Sequence, residues 1–319
     1  EARRRQEPVA LPRHDLRRFF RQGGGSGPRA DEADLAGCAD LAGVLAGEVL
    51  RRYAIDDVLD EASADAHLKG DFHLEDLGAP ERALTRAVPL ELLLDGEPSS
   101  ARAFEALERI GELLHSTAHG LVLEQGGRVL HALTGRGTRN ERLADWLAAL
   151  AGLAAAQQRP VDLCAPNPRS AATLACLLLA LAELARRSRW TPRLYLGFAE
   201  LEPALDAARE ATKELLGRGL LVPVWNGTDE QFAGPGCVRA RGERGPIACQ
   251  AALALNLARL ARRAGPWREE ALLDELQDLL DHALNAVERV DAFQSELRGA
   301  RSELLRERST FALVPVGLV

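Results

Sequence analysis

Residues 161–198 read VDLCAPNPRSAATLACLLLALAELARRSRWTPRLYLGF. Two short apolar runs, Val161–Cys164 and Arg193–Phe198, flank a helical pattern over 170–187. Length separates the elements: runs of four to eight fit strands, and longer ones with helical spacing fit helices. The apolar stretch Ala171–Ala182 is closed by Glu183. It is too short to span a bilayer and predicts a buried helix. The same alternation extends outward. Strand-like runs lie at Gly120–Leu123 with Arg128–Ala132, at Leu220–Trp225, at Cys237–Arg241 and at Thr310–Val319. Helical patterns cover 34–53, 57–67, 80–95, 100–118, 140–157, 202–217, 249–263 and 268–308. Alternating strands and helices predict a helix-rich α/β sheet or barrel over residues 31–319.

Composition narrows the classes. The chain has 319 residues, 46% hydrophobic, 27% charged and 4% aromatic, which suits a soluble globular protein. Collagen, fibrous coiled coils and disulfide-rich miniproteins are excluded. A net charge of −7 gives no general attraction to nucleic acid or to an anionic membrane. Of 40 basic residues two are Lys, Lys69 and Lys213, so 38 are Arg. The bias reads as compositional. Five scattered cysteines, at 38, 164, 176, 237 and 249, predict reduced thiols in the cytoplasm. No signal peptide is visible.

Residues 1–30 carry eight Arg against three acids and include the Gly-rich stretch Gly23–Gly27. They predict a basic flexible arm and linker, free or docked on a partner. There is no Met, even at position 1, so the true start is expected upstream. The closing run Phe311–Val319 lacks a polar tail. That leads us to expect further sequence, or a partner or second chain that completes the fold.

Five segments could carry chemistry. HLKGDFHLED (67–76) packs two His and three carboxylates into ten residues. Alternation around Phe72 and Leu74 projects His73 and Glu75 to one side, where they suit a metal, a polar substrate or a solvated loop. His115 and His119 have i,i+4 spacing on an expected helix, a metal pair or ordinary surface histidines. Asn226 ends a strand, where an amide binds a substrate hydroxyl or simply makes a turn. Cys237 sits in a Gly-rich loop beside Arg239 and Arg241, as an activated thiol or an inert buried one. Cys249 opens an expected helix, again activated or merely packed. Cys38, Cys164 and Cys176 read as structural. Walker A, dinucleotide-fingerprint and nucleophile-elbow motifs are absent from the sequence.

Several stretches, in this order, resemble the anaerobic (class III) ribonucleotide reductases, a glycyl-radical family. They are LAGEVLRRY (45–53), AHLKGDFHLEDL (66–77), LLVPVWN (220–226), PGCVRAR (235–241), GPIACQAALALNLARL (245–260) and FALVPVGL (311–318). The resemblance covers roughly residues 35–319 and implies a ten-stranded α/β barrel around a finger loop, incomplete in this chain. In that family a C-terminal glycyl radical oxidises a finger-loop Cys, and the thiyl abstracts the ribose 3′ hydrogen. Cys237 takes the thiyl position, and His73, Glu75 and Asn226 take substrate-binding positions. The resemblance implies no metal at these residues. The radical is implied to come from elsewhere, and a homodimer and a nucleotide ligand are implied as well. The chain departs from the pattern at Glu75 (His in the family), Val238 (Cys) and Thr85 (a reducing Cys). Also missing are an Arg-Val-x-Gly-Tyr loop, a four-Cys zinc site and the nucleotide-sensing cone. The expectation is a divergent reductase-like protein without independent activity. The alternative is a non-catalytic relative that serves as a nucleotide-binding or protein-interaction scaffold.

Overall fold

A computed structural model describes residues 45–78, 82–134, 141–164, 171–227, 229–240, 242–243, 245–265, 269–298 and 308–317. The basic arm, the first part of the expected 34–53 helix and Cys38 lie outside the described residues. A helix over 45–53 (α1) runs into a π-turn at Ala54–Val58. Glu61–Lys69 (α2), Phe72–Leu74 (β1) and Ala83–Pro89 (β2) follow. Next come Ser100–His115 (α3), Thr117–Glu124 (β3), Gly127–Thr134 (α4), Glu141–Gln157 (α5), Val161–Cys164 (β4), Ala171–Ala185 (α6), Leu194–Gly197 (β5), Phe198–Gly217 (α7) and Leu221–Val224 (β6). The chain then forms Glu230–Gly234 (β7), Cys237–Ala240 (β8), Ile247–Asn256 (β9), Leu257–Ala264 (α8), Glu269–Arg298 (α9) and Arg308–Val316 (β10).

Strands β2 to β6 are neighbours in chain order and all parallel. Helical crossovers make this possible, because a parallel pair cannot be joined by a tight turn. β9 reverses direction against β2, and β10 runs parallel to β9 on its other side. β1 continues the β2 edge of β9, antiparallel to its last residues. β7 and β8 form a separate antiparallel hairpin. The expected α/β class is therefore observed. Among the described residues β6, β10 and the short β1 are edge strands, and β6 pairs with neither of the others, so closure into a barrel is not.

Alternation along the strands sorts side chains to two faces. Leu121, Leu123, Leu163, Leu194 and Leu196 point outward and bury against α3 to α7. α3 presents Ala103, Ala106, Ile110 and Leu114 at helical spacing, and Ser99 Oγ caps its start by accepting from the Arg102 N–H at 3.3 Å. Trp146 of α5 is wholly buried in this layer, its indole N–H donating to the Ala103 carbonyl at 2.9 Å. A second outward cluster packs Phe72, Leu74, Leu253 and Leu255 under α2 and the Leu279–Val290 face of α9. The other face of the sheet carries Val122, Cys164, Tyr195, Ile247 and Cys249, and the β7–β8 hairpin lies on it.

Several sequence expectations are corrected. Of the helix expected over 80–95, the described residues 82–95 hold β2 and a 3₁₀ turn at Leu90–Leu93 instead. Residues 249–256 belong to strand β9, and the helix starts only at Leu257, where Asn256 Oδ1 accepts from the Arg259 N–H at 3.1 Å. Both strands are central and covered on both faces. Apolar residues fall on both faces of each strand, with Thr85, Arg86 and Gln250 among them, and the period-2 signal vanishes. Arg128–Ala132, expected as a strand, lies in α4. His115 ends α3 while His119 lies in β3, so the expected i,i+4 helical pair does not form. β7 was not anticipated.

Candidate functional site at the carboxyl ends of the strands

The parallel strands all end on one side, and there a cleft of about 410 Å³ opens. That volume is of small-ligand size, and the carboxyl edge of a parallel sheet is where such ligands bind. β3 contributes Glu124 and the following Gln125, β5 contributes Gly197, and β6 contributes Val224 with the following Trp225 and Asn226. Phe198, Ala199 and Glu200, the first turn of α7, form one wall, and Gln231 and Phe232 of β7 form another. Glu200 accepts from the Gly197 N–H at 3.1 Å and so occupies part of the positive end of α7.

Glu124 sits at the cleft's floor. Its carboxylate is gripped by Arg239 of β8 through two bonds, Nη2 to Oε1 at 2.6 Å and Nε to Oε2 at 3.1 Å. Arg239 also donates to the carbonyls of Glu243 at 3.0 Å and Gly245 at 2.9 Å. Both side chains are nearly inaccessible, at 1% and 5% exposure. Burial raises the Glu124 carboxyl above its ordinary range, and the guanidinium opposes that rise. Asp162 is a second buried acid on this face. It pairs with Arg193 at 2.7 Å and accepts from the Tyr195 hydroxyl at 3.4 Å.

The hairpin spans the face between these groups. Phe232 packs on the Tyr195 ring at 5.1 Å, and its carbonyl receives the Cys164 thiol at 3.4 Å. Gly236 O accepts from Thr310 Oγ1 at 2.7 Å. Cys237 is fully buried, with its thiol near the carbonyls of Thr85 at 3.8 Å and Ile247 at 4.0 Å. Burial pushes its pKa up to about 12 and the Arg239 guanidinium is committed to Glu124, so of the two readings of this thiol its surroundings favour the buried one over the arginine-activated one. Cys249 faces the same layer from β9, not from a helix start, and burial pushes it up to about 11. Both thiols are free and protonated at neutral pH. Thr85, the position expected to replace a reducing Cys, lies directly opposite Cys249.

The remaining expected residues fall in two places. Asn226 lines the cleft, and its Oδ1 accepts from the Phe232 N–H at 2.9 Å. It thereby ties the loop after β6 to the hairpin. His73 and Glu75 lie elsewhere. β1 pairs with the last residues of β9, whereas the end of β2 pairs with the first, so β1 lies off the amino-terminal side of the sheet. As expected, Phe72 and Leu74 turn inward while His73 is exposed. His73 stacks on buried His67 at 5.2 Å, and Glu75 approaches His119 at 3.8 Å. These residues do not meet Asn226. Among the described residues no three His, Cys, Asp or Glu side chains converge as metal ligands, and no helix is long and apolar enough to cross a membrane. Sequence reading missed Glu124, Gln125, Phe198 and Gln231 as cleft residues. For Glu124, Gln125 and Phe198 the available signal was their place at or just after a strand end, whereas Gln231 lies within β7.

His67 yields a prediction. Its Nδ1 accepts from the Leu74 N–H at 3.2 Å. Burial first, then the charges of His73 and Arg51, hold its pKa at about 4, against 6.5 when free. As pH falls the unfolded chain takes up this proton before the folded one does. Stability should therefore decline from pH 6.5 to about 4 and lose nothing further from this group below. Urea midpoints across that window should show a shallower decline for His67→Gln than for the parent. Parallel curves would remove His67 as a contributor.

No protein-family model matches the chain, and no match to a curated protein sequence is found. Among solved structures, the chain is similar to the anaerobic ribonucleotide reductase from Thermotoga maritima, crystallised in complex with dATP and CTP. The superposition has a TM-score of 0.62 at 13% identity and covers 91% of this chain. The likeness is one of fold. This chain spans 58% of the length of that one.

Proposed function

We propose that this protein is a nucleotide-binding relative of the anaerobic ribonucleotide reductases that does not reduce nucleotides on its own. The observation that carries the reading is the shared fold over 91% of the chain, together with a hairpin that lays Cys237 on the inner face of the sheet. Residues 31–319 act as one α/β domain. Further strands, from additional sequence or a second chain, would pair with the β10 edge and complete a barrel around the hairpin. A glycyl radical would have to come from there too. A protonated, buried thiol suits hydrogen-atom transfer better than nucleophilic attack, which needs thiolate. The working compartment is the cytoplasm, and homodimerisation is part of the reading.

A second reading is favoured by the complete burial of Cys237 and its absence from the cleft lining. Here the protein is a scaffold in which the thiol only packs, and the Arg-rich arm engages a protein partner. One experiment addresses both. Equilibrium dialysis with ATP and CTP should show binding, and anaerobic incubation of the chain alone should give no deoxynucleotide. Cys237→Ala should leave nucleotide binding unchanged under either reading. Deoxynucleotide formed by the chain alone would overturn the claim of dependence, and absence of any nucleotide binding would overturn the proposal.

A further inference from the structure

The cleft's lining names its ligand more narrowly than the fold does. Trp225 is 79% exposed and Phe198 56% exposed. They are neighbours at the cleft, with ring centroids 6.2 Å apart and planes tilted by 59°. Large aromatic surface left in water is unfavourable unless a partner covers it. The contact is tilted and leaves most of the indole open to solvent. Gln125 and Gln231 line the same cleft, and their carboxamides have no hydrogen-bond partner among the described residues. Aromatic faces beside free carboxamides are how proteins hold an unstacked base: the face stacks, and the amide reads the base edge.

Charge sets the rest. The described lining residues include two carboxylates, Glu124 and Glu200, and no Lys or Arg. The cation beneath them, Arg239, is spent on Glu124 and two carbonyls. Glu200 already occupies the first turn of α7. A polyphosphate inside this cleft would meet negative charge with no counter-cation.

We propose that the cleft takes a nucleobase, stacked on Trp225 with Phe198 against its edge, with the sugar and any phosphates turned toward solvent. This deepens the nucleotide-binding reading and rests on it. The full chain should be titrated with adenosine, cytidine, ATP and CTP, following tryptophan emission and equilibrium dialysis at two ionic strengths. Nucleosides and their triphosphates should bind within about threefold of each other, with little salt dependence. Trp225→Ala should weaken binding about tenfold or more and abolish most of the emission change, whereas Trp225→Phe should largely retain affinity. Phe198→Ala should show a smaller loss. Trp225 is exposed, so these variants should fold, which circular dichroism checks. Unchanged nucleotide affinity in Trp225→Ala would overturn the stacking site while leaving nucleotide binding intact. So would salt-sensitive binding of ATP far above adenosine. Failure of every nucleoside and nucleotide to bind would overturn both.

Discussion

Replacing Arg239 with Met while Glu124 stays in place should destabilise the protein by about 3–5 kcal/mol. The guanidinium is wholly enclosed, and it makes four hydrogen bonds that link β8 to the end of β3 and to the turn before β9. Its loss leaves a carboxylate in a buried site with no cation, and it orphans two carbonyls besides. Removing both charges is a different event. Arg239→Met with Glu124→Leu should recover much of the loss, because a buried pair gives back little more than its own desolvation. Urea unfolding of the single and double variants measures the difference directly. Cys237 supplies a local readout. In Arg239→Met its thiol should react faster with a thiol reagent, since the hairpin that covers it is no longer pinned. Equal stabilities of the single and double variants would show that the uncompensated Glu124 carboxylate carries no penalty.

Gly236→Val should cost on the order of 3 kcal/mol. The residue has φ +72°, where a β-branched side chain is strained. A Cβ there would also lie 2.5 Å from Cys249 Sγ and 3.0 Å from its Cβ. The clash is with a strand core that cannot move aside. Gly242 is the control. Its φ is +85°, but a Cβ at that position would meet no atom within 4 Å, so Gly242→Val should show backbone strain alone, about 1–2 kcal/mol. Thermal midpoints of the two variants separate contact from conformation. A Gly236 variant as mild as the Gly242 one would mean that the hairpin tip does not press on β9.

Much of the architecture was legible locally. Val161–Cys164, Ala171–Ala185 and Leu194–Gly197 fall where run length and helical spacing put them. β1 shows the alternation that its sequence announces. The errors at β2 and β9 share one cause. A strand covered on both faces carries apolar residues on both, so alternation is lost, and the Ala and Leu of these two strands look helical. Asn226 was legible as a strand-end residue. Trp225 stood next to it in the same motif, but nothing in a sequence says that Phe198, 27 positions earlier, stands beside it.

The element list of the central α/β region, the apolar faces and the candidate residues can all be read along the chain, because each depends on neighbours within a few positions. Strand order, the open edges and the grouping of the site come from long-range packing instead. Glu124 and Arg239 are 115 residues apart, and Thr85 and Cys237 are 152 apart. Contacts at such separations form because burial rewards the whole sheet at once, and no local pattern encodes which strand end will face which. The same packing turned Cys237 from a loop thiol beside two arginines into a protonated core residue, by taking it out of water and giving Arg239 a carboxylate.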